Sequence, residues 1–92
     1  MKDDLDVELL KKIAYVSVSS YRLRTVKALH NEVKIPTQIA KDTEILPNHI
    51  SKILTELKNE NIAECINEES RKGRLYRLTP FGEEVAENLD KF

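Results

Sequence analysis

Two groups of residues in this sequence have the chemistry to meet a polyanion. The first is Arg71, Lys72, Arg74 and Arg77, gathered around Gly73 in the stretch ESRKGRLYRLT. Cations at the tip of a loop can lie along phosphates or put an arginine into a narrow minor groove. The second is Asn48, His49, Ser51, Lys52 and Thr55, interleaved with Ile50, Ile53, Leu54 and Leu57. Asn pairs bidentately with adenine, Lys donates to guanine, and Ser or Thr reaches base edges or the thymine methyl. Each group also has a plain alternative: a solvated helix face for the second, a polar loop for the first.

Other chemistries find little support. There is no glycine-rich phosphate loop and no serine, histidine and aspartate set, so no catalytic residue is assigned and an enzyme is not expected. Cys65 stands alone among apolar neighbours, and His30 and His49 are isolated, so no metal site and no cofactor is expected. A single cysteine rules out an intrachain disulfide, which fits a reducing cytoplasm. The acidic start MKDDLDVELL lacks the shape of a signal peptide. No apolar run approaches the roughly 20 residues of a membrane span. The expected location is therefore cytoplasmic.

The 92 residues suit one domain, with 40% apolar and 34% charged residues. The net charge of −1 conceals segregation. Residues 21–40 hold Arg22, Arg24, Lys27 and Lys34 against Glu32, whereas residues 81–92 hold Lys91 against Glu83, Glu84, Glu87 and Asp90. A weakly acidic total does not oppose an anionic partner if the cations share one face.

The elements that must position these residues follow from periodicity and punctuation. Leu5, Leu9, Ile13 and Val16 recur at helical spacing and predict an amphipathic helix over 5–16. VSVSS ends it, and Ser19 or Ser20 caps a second helix in which Leu23, Val26 and Leu29 face inward. Val33 to Ile35 reads as extended, ahead of Pro36. Pro36 opens a short helix, PTQIAKDT, and Pro47 opens another, PNHISKILTELKNEN, closed near Asn61. IAECIN and RLYRLT have the composition of strands, and the EESRKG between them makes a hairpin. Alternation along the second strand turns Arg77 outward. Thr79 and Pro80 begin a last helix with the stripe Phe81, Val85, Leu89 and Phe92. The expected fold class is α+β, mainly α: a three-helix core and a β-hairpin wing, with additional N- and C-terminal helices. That is the element order of a winged helix-turn-helix.

The same pieces resemble winged-helix transcriptional regulators of the MarR/ArsR type, most closely the small archaeal members. PTQIAKDT resembles the first helix of the helix-turn-helix. NHISKILTELKNENIAE resembles the recognition helix and first wing strand, and KGRLYRLTPFGEEV the wing and following helix. The resemblance covers roughly residues 20–89. Glu44 stands where the family often has glycine in the turn. Leu46-Pro47 stands where it often has a serine cap. Cys65 and the two histidines do not reproduce the ligand sets of the metal-sensing members.

The resemblance implies a sequence-specific regulator of transcription on double-stranded DNA. Recognition helix 47–60 would enter the major groove, and wing 68–74 would lie on the backbone or minor groove. Asn48, His49, Ser51, Lys52 and Thr55 would read bases. Thr37 and Gln38, at a helix N-terminus that offers N–H groups to phosphate, would contact the backbone with Arg71, Lys72, Arg74 and Arg77. Arg22 and Arg24 could join them or pair with the acidic termini. Glu68 and Glu69 flank the wing tip and would weaken or orient its charge.

The terminal stripes could cover one another within a chain or build a two-fold interface. A homodimer is the favoured expectation, with residues 1–18 as a dimerisation element ahead of a winged-helix domain at 19–92. Its interface candidates are Leu5, Leu9, Ile13, Val16, Val85 and Leu89. No residue pattern identifies a small-molecule effector. The alternative function is a protein-interaction winged-helix module in a transcription or other assembly.

Overall fold

The computed structural model describes the backbone of residues 2–91 and the side chains of residues 7–90. Leu5 and Phe92, at the outer ends of the two terminal stripes, lie outside the described side chains. Five helices and one hairpin follow in the order α1 (Lys2–Ser17), α2 (Ser20–Leu29), α3 (Pro36–Thr43), α4 (Pro47–Asn59), β1 (Ala63–Cys65), β2 (Tyr76–Leu78) and α5 (Pro80–Asn88). A single 3-10 turn, Leu89–Lys91, continues α5.

Local signals account for most boundaries. Ser19 caps α2, its hydroxyl accepting the Arg22 N–H at 3.2 Å. Pro36 and Pro47 occupy the first positions of α3 and α4, where a missing N–H is no loss. Neither helix has a side-chain cap, since Ile35 and Leu46 hold the capping positions. Left-handed residues stop three helices: Asn31 (φ 58°), Glu44 (φ 59°) and Asn61 (φ 59°). Asparagine tolerates that conformation; glutamate does so at a cost. The turn between α3 and α4 therefore has the geometry a glycine would give, on a residue that resists it.

The core gathers one face from every helix. Val16, Val26, Leu29, Ile39, Ile50, Leu57, Ile62 and Val85 are fully shielded from solvent. Full burial of an aliphatic side chain of this size contributes about 1.5–3 kcal/mol. Ile13 and Val16 of α1 share this core with Val85 of α5 and Leu89. The N-terminal helix thus packs as part of the same body as the residues after 18.

Four of the dimer-interface candidates, Ile13, Val16, Val85 and Leu89, are buried within the chain itself. They belong to the core of their own chain, where α1 and α5 pack on each other. Only Leu9 of the described candidates remains partly accessible.

The hairpin is antiparallel, with Ala63 opposite Leu78, Glu64 opposite Arg77 and Cys65 opposite Tyr76. Lys34 pairs with the other edge of β2: its N–H donates to the Tyr76 carbonyl at 3.0 Å and its carbonyl accepts from Tyr76 at 2.9 Å. The extended piece before Pro36 thereby ties the hairpin to the start of α3.

The far end of the hairpin is fixed by a joint. The Thr79 hydroxyl donates to the Asn61 carbonyl at 2.7 Å and accepts the Gly82 N–H at 2.9 Å. The Thr79 N–H donates to the Ile62 carbonyl at 3.0 Å. Gly82 packs so closely that a Cβ there would overlap the Ile62 carbonyl oxygen and lie 3.2 Å from the Leu78 Cβ.

Gly82→Ala is therefore expected to lower unfolding free energy by about 3 kcal/mol, the upper range for overpacking. Gly73→Ala, at φ +66° but facing open space, should lose only about 1 kcal/mol, and Glu44→Gly should gain about 0.5 kcal/mol. Urea midpoints at constant m-value check all three. Equal losses for the two glycines would overturn the assignment of close packing at Gly82.

Candidate nucleic-acid interface

The α4 helix buries Ile50, Ile53, Leu54 and Leu57 and turns its other face outward. Asn48, Ser51, Lys52 and Thr55 are exposed, and His49 is half-buried. Asn48, Ser51, Lys52 and Thr55 of this face are not covered by the described chain. The Thr55 hydroxyl donates to the Ser51 carbonyl at 3.1 Å, so its lone pairs and methyl remain free. Thr37 and Gln38 are exposed at the start of α3. The Gln38 amide donates to Asp42 at 2.7 Å, which Lys34 also reaches at 2.8 Å. These two hydrogen bonds, the Lys34 one foremost, hold the Asp42 carboxyl below its usual range.

The wing loop is built on Asn67. Its side-chain oxygen accepts the Leu75 N–H at 2.7 Å, and its amide donates to the Gly73 carbonyl at 3.1 Å. Its backbone carbonyl accepts from Ser70 at 3.0 Å. Arg74 folds back, donating from Nε to the Ser70 carbonyl at 2.7 Å. Arg71 and Lys72 are exposed at the tip, and neither has a carboxylate within 4.0 Å among the described residues.

An open cleft joins three of these elements. Thr37 at the start of α3, Ser51 of α4 and the tip residues Arg71, Lys72 and Arg74 line it, with Tyr76 at its base. Arg77 is not among them. It faces outward as the alternation predicts, but bonds across the hairpin to Glu64 at 2.7 Å, which largely neutralises it. Gln38 lies beside the cleft rather than in it.

The acids flanking the wing are partly engaged elsewhere. Glu68 bonds Lys58 at the end of α4 at 2.9 Å. That contact lowers the Glu68 pKa and raises that of Lys58. Among the described residues, neither Arg22 nor Arg24 pairs with an acid of the terminal helices. Arg22 reaches Glu56 of α4 at 3.3 Å and the Tyr15 carbonyl at 2.9 Å, with its guanidinium 3.9 Å from the Tyr15 ring centre. Arg24 donates to the Thr43 carbonyl at 2.8 Å. Among the described residues no cluster of three or more metal-ligating side chains forms.

Sequence reasoning passed over Asn67 and Tyr21, and weighed Arg24 only as a backbone contact or a partner of the acidic termini. An asparagine just past a strand is a turn-former, so Asn67 carried a usable signal. Tyr21 and Arg24 carried none, because their partners lie on other helices.

No family model matches the sequence, nor does any curated protein. Solved structures do match. One is the MarR family transcriptional regulator SPO1453 from Silicibacter pomeroyi, at 15% identity and TM-score 0.70, over 98% of this chain and 67% of that one. Another is HlyU from Vibrio cholerae, at 15% identity and TM-score 0.72, over 98% and 94%. A third is Lactococcus lactis ZitR in complex with DNA, at 19% identity and TM-score 0.70, over 79% and 51%. The fold is a winged helix-turn-helix. The present chain spans about half the length of ZitR. At these identities the likeness is one of fold. It carries the broad resemblance to MarR-type proteins and not the narrower one to small archaeal members.

Within the winged helix-turn-helix, the Lys58–Glu68 contact sets where the base of the wing sits against the second helix of the motif. With the Glu68 pKa depressed, the contact is complete above the ordinary carboxylate range and is lost as pH falls through the depressed value. With the Lys58 pKa raised, it is lost again only above the ordinary lysine range. An NMR titration of the Glu68 carboxyl should give a midpoint below that of a free glutamate, moving upward in Lys58→Ala. An unmoved midpoint in that variant would remove the contact as the cause.

Proposed function

We propose that this chain binds double-stranded DNA and regulates transcription, with α4 in the major groove and the wing on the backbone or minor groove. The observation that carries the reading is the cleft itself. It sets the uncompensated cations Arg71 and Lys72 beside the hydrogen-bonding face of α4 and the N-terminus of α3. Thr37 is exposed there, and its N–H is unused among the described residues, an arrangement suited to a phosphate. Asn48, Ser51, Lys52 and Thr55 lie one turn apart or less, within reach of successive base edges once the helix enters the groove. The solved ZitR complex with DNA shows that a chain of this fold can dock on a duplex.

Two sets of cations stand apart under this reading, with Lys11, Arg24, Lys41 and Arg74 in neither. Lys12, Lys27, Lys34, Lys58 and Arg77 each bond a carboxylate, as does Arg22. Arg71, Lys72 and Lys52 have none among the described residues and face the proposed duplex. The reading also includes a homodimer that presents two α4 helices about one turn of DNA apart. With four interface candidates in the core, pairing falls to Leu9 and its exposed neighbours Val7 and Leu10. The alternative of a protein-docking module gains nothing from α4, whose outer face no described segment covers.

Binding measured by fluorescence anisotropy across salt tests the electrostatic part. The log of the binding constant should fall steeply with log salt, and Arg71→Ala, Lys72→Ala and Arg74→Ala together should flatten the slope by about 2–3, at ~0.9 per phosphate contact. Unchanged binding by the triple variant would remove the wing from the interface. Selection from a random duplex pool tests the rest: a palindrome should be enriched for the wild type, and Leu10→Glu should give monomers by light scattering with loss of the palindromic signal. Enrichment of a single unrepeated half-site by the wild type would overturn the dimer.

A further inference from the structure

One exposed aromatic residue lies where three elements of the motif meet. Tyr21 is in the first turn of α2, and its ring centre is 5.5 Å from that of His49, with the planes inclined at 55°. That is the tilted geometry in which the edge of one ring meets the face of another. His49 is in the first turn of α4, among the candidate base-reading residues, and is half-buried where its neighbours Asn48 and Ser51 are exposed. The Arg24 guanidinium carbon lies 5.3 Å from the centre of the same tyrosine ring. Arg24 has no carboxylate partner among the described residues. Instead it donates to the Thr43 carbonyl, in the last turn of α3, where the helix dipole favours a cation.

We propose that Tyr21 is a positioning residue for base reading: its ring holds the His49 imidazole in one orientation at the entry of α4. Arg24 keeps that ring in place by tying it to the end of α3. This rests on the DNA-reading role of α4 proposed above. An imidazole on a bare helix face samples several staggered rotamers, and ordering it on a base edge opposes binding. Against Tyr21 it is ordered beforehand. The imidazole can offer a donor or an acceptor to a base, so its orientation decides which base edge it matches.

The test compares base preferences selected from a random duplex pool by the wild type, His49→Ala, Tyr21→Ala, Tyr21→Leu and Tyr21→Phe. His49→Ala should flatten the preference at one base position per half-site by about 5- to 100-fold, the usual scale of a specific base contact. Tyr21→Ala should flatten that same position although His49 is present. Tyr21→Leu, which keeps apolar bulk for the fold, should do the same. Tyr21→Phe, which keeps the ring, should retain the preference. The double variant of Tyr21→Ala and His49→Ala should be no flatter than His49→Ala alone, and the salt slope should stay at the wild-type value throughout. A purely structural tyrosine would instead weaken binding to all sequences alike. That uniform loss, or an intact preference in Tyr21→Leu, would overturn the proposal. If His49→Ala changes no position while the wild type still enriches a sequence, the Tyr21 role falls alone. If the wild type enriches no sequence, the reading of α4 falls and takes this role with it.

Discussion

The approach of Gly82 to the Ile62 carbonyl is the constraint on which the geometry of the motif depends. Ile62 follows the left-handed Asn61, which ends α4 and sends the chain into β1. Thr79 ends β2 and caps α5. Three hydrogen bonds through Thr79 and the absence of a side chain at Gly82 press these two corners together. The hairpin cannot rotate about the end of α4 without breaking that seam. At its other edge it is held by the two Lys34–Tyr76 hydrogen bonds, which belong to the approach to α3. The base of the wing is thus tied both to the end of α4 and to the approach to α3.

Charge is sorted around this frame by pairing, not by net count. Glu56 and Glu60, on the inward-turning side of α4 and just past its end, bind Arg22 and Lys12. Glu64 binds Arg77 on the outer face of the hairpin, and Asp90 binds Lys27. Glu83 lies 2.6 Å from His30 and accepts the Asn31 N–H at 2.9 Å, closing the end of α2 against the start of α5. Each such pair stabilises little where it is exposed. Their joint effect is on the potential: among the described residues they offset six of the cations, and Arg71, Lys72 and Lys52 are not among those six. Glu68 adds to this by turning toward Lys58 and away from Arg71 and Lys72. A chain of charge −1 can in this way present a positive edge.

Much of the architecture was legible because it is written locally. Pro36 and Pro47 mark the first residues of α3 and α4, Ser19 and Thr79 are caps, and the spacing of Ile50, Ile53, Leu54 and Leu57 defines the buried face of α4. The exposure of Asn48, Ser51, Lys52 and Thr55 follows from that same period. What was not legible depends on pairs far apart in sequence. The partners of Arg22 and Arg24 are 34 and 19 residues away, and nothing in the pattern of α2 announces them. Arg77 had the right orientation on its strand, but its neutralisation needed the register that sets it opposite Glu64. The terminal stripes left their cover open for a related reason. An apolar stripe specifies that it must be covered, not what covers it, and here α1 and α5 cover each other.

The α4 helix ends up held at both ends by different physics. At its start, His49 meets Tyr21, and Arg24 links that ring to the last turn of α3. At its end, Glu56 and Glu60 receive cations from α2 and α1, and the Arg22 guanidinium also meets the Tyr15 carbonyl and ring. Burial of Ile50, Ile53, Leu54 and Leu57 fixes its axis between these points. A helix with only a buried face can still roll by a few degrees as side chains repack. One with polar ties at both ends loses those ties when it rolls. Thr37 and the wing, anchored through Lys34 to the same body, then keep a constant distance from the helix. A surface held in this way would meet a partner with little reorganisation, and its selectivity would then rest on which side chains occupy the face and how they are oriented.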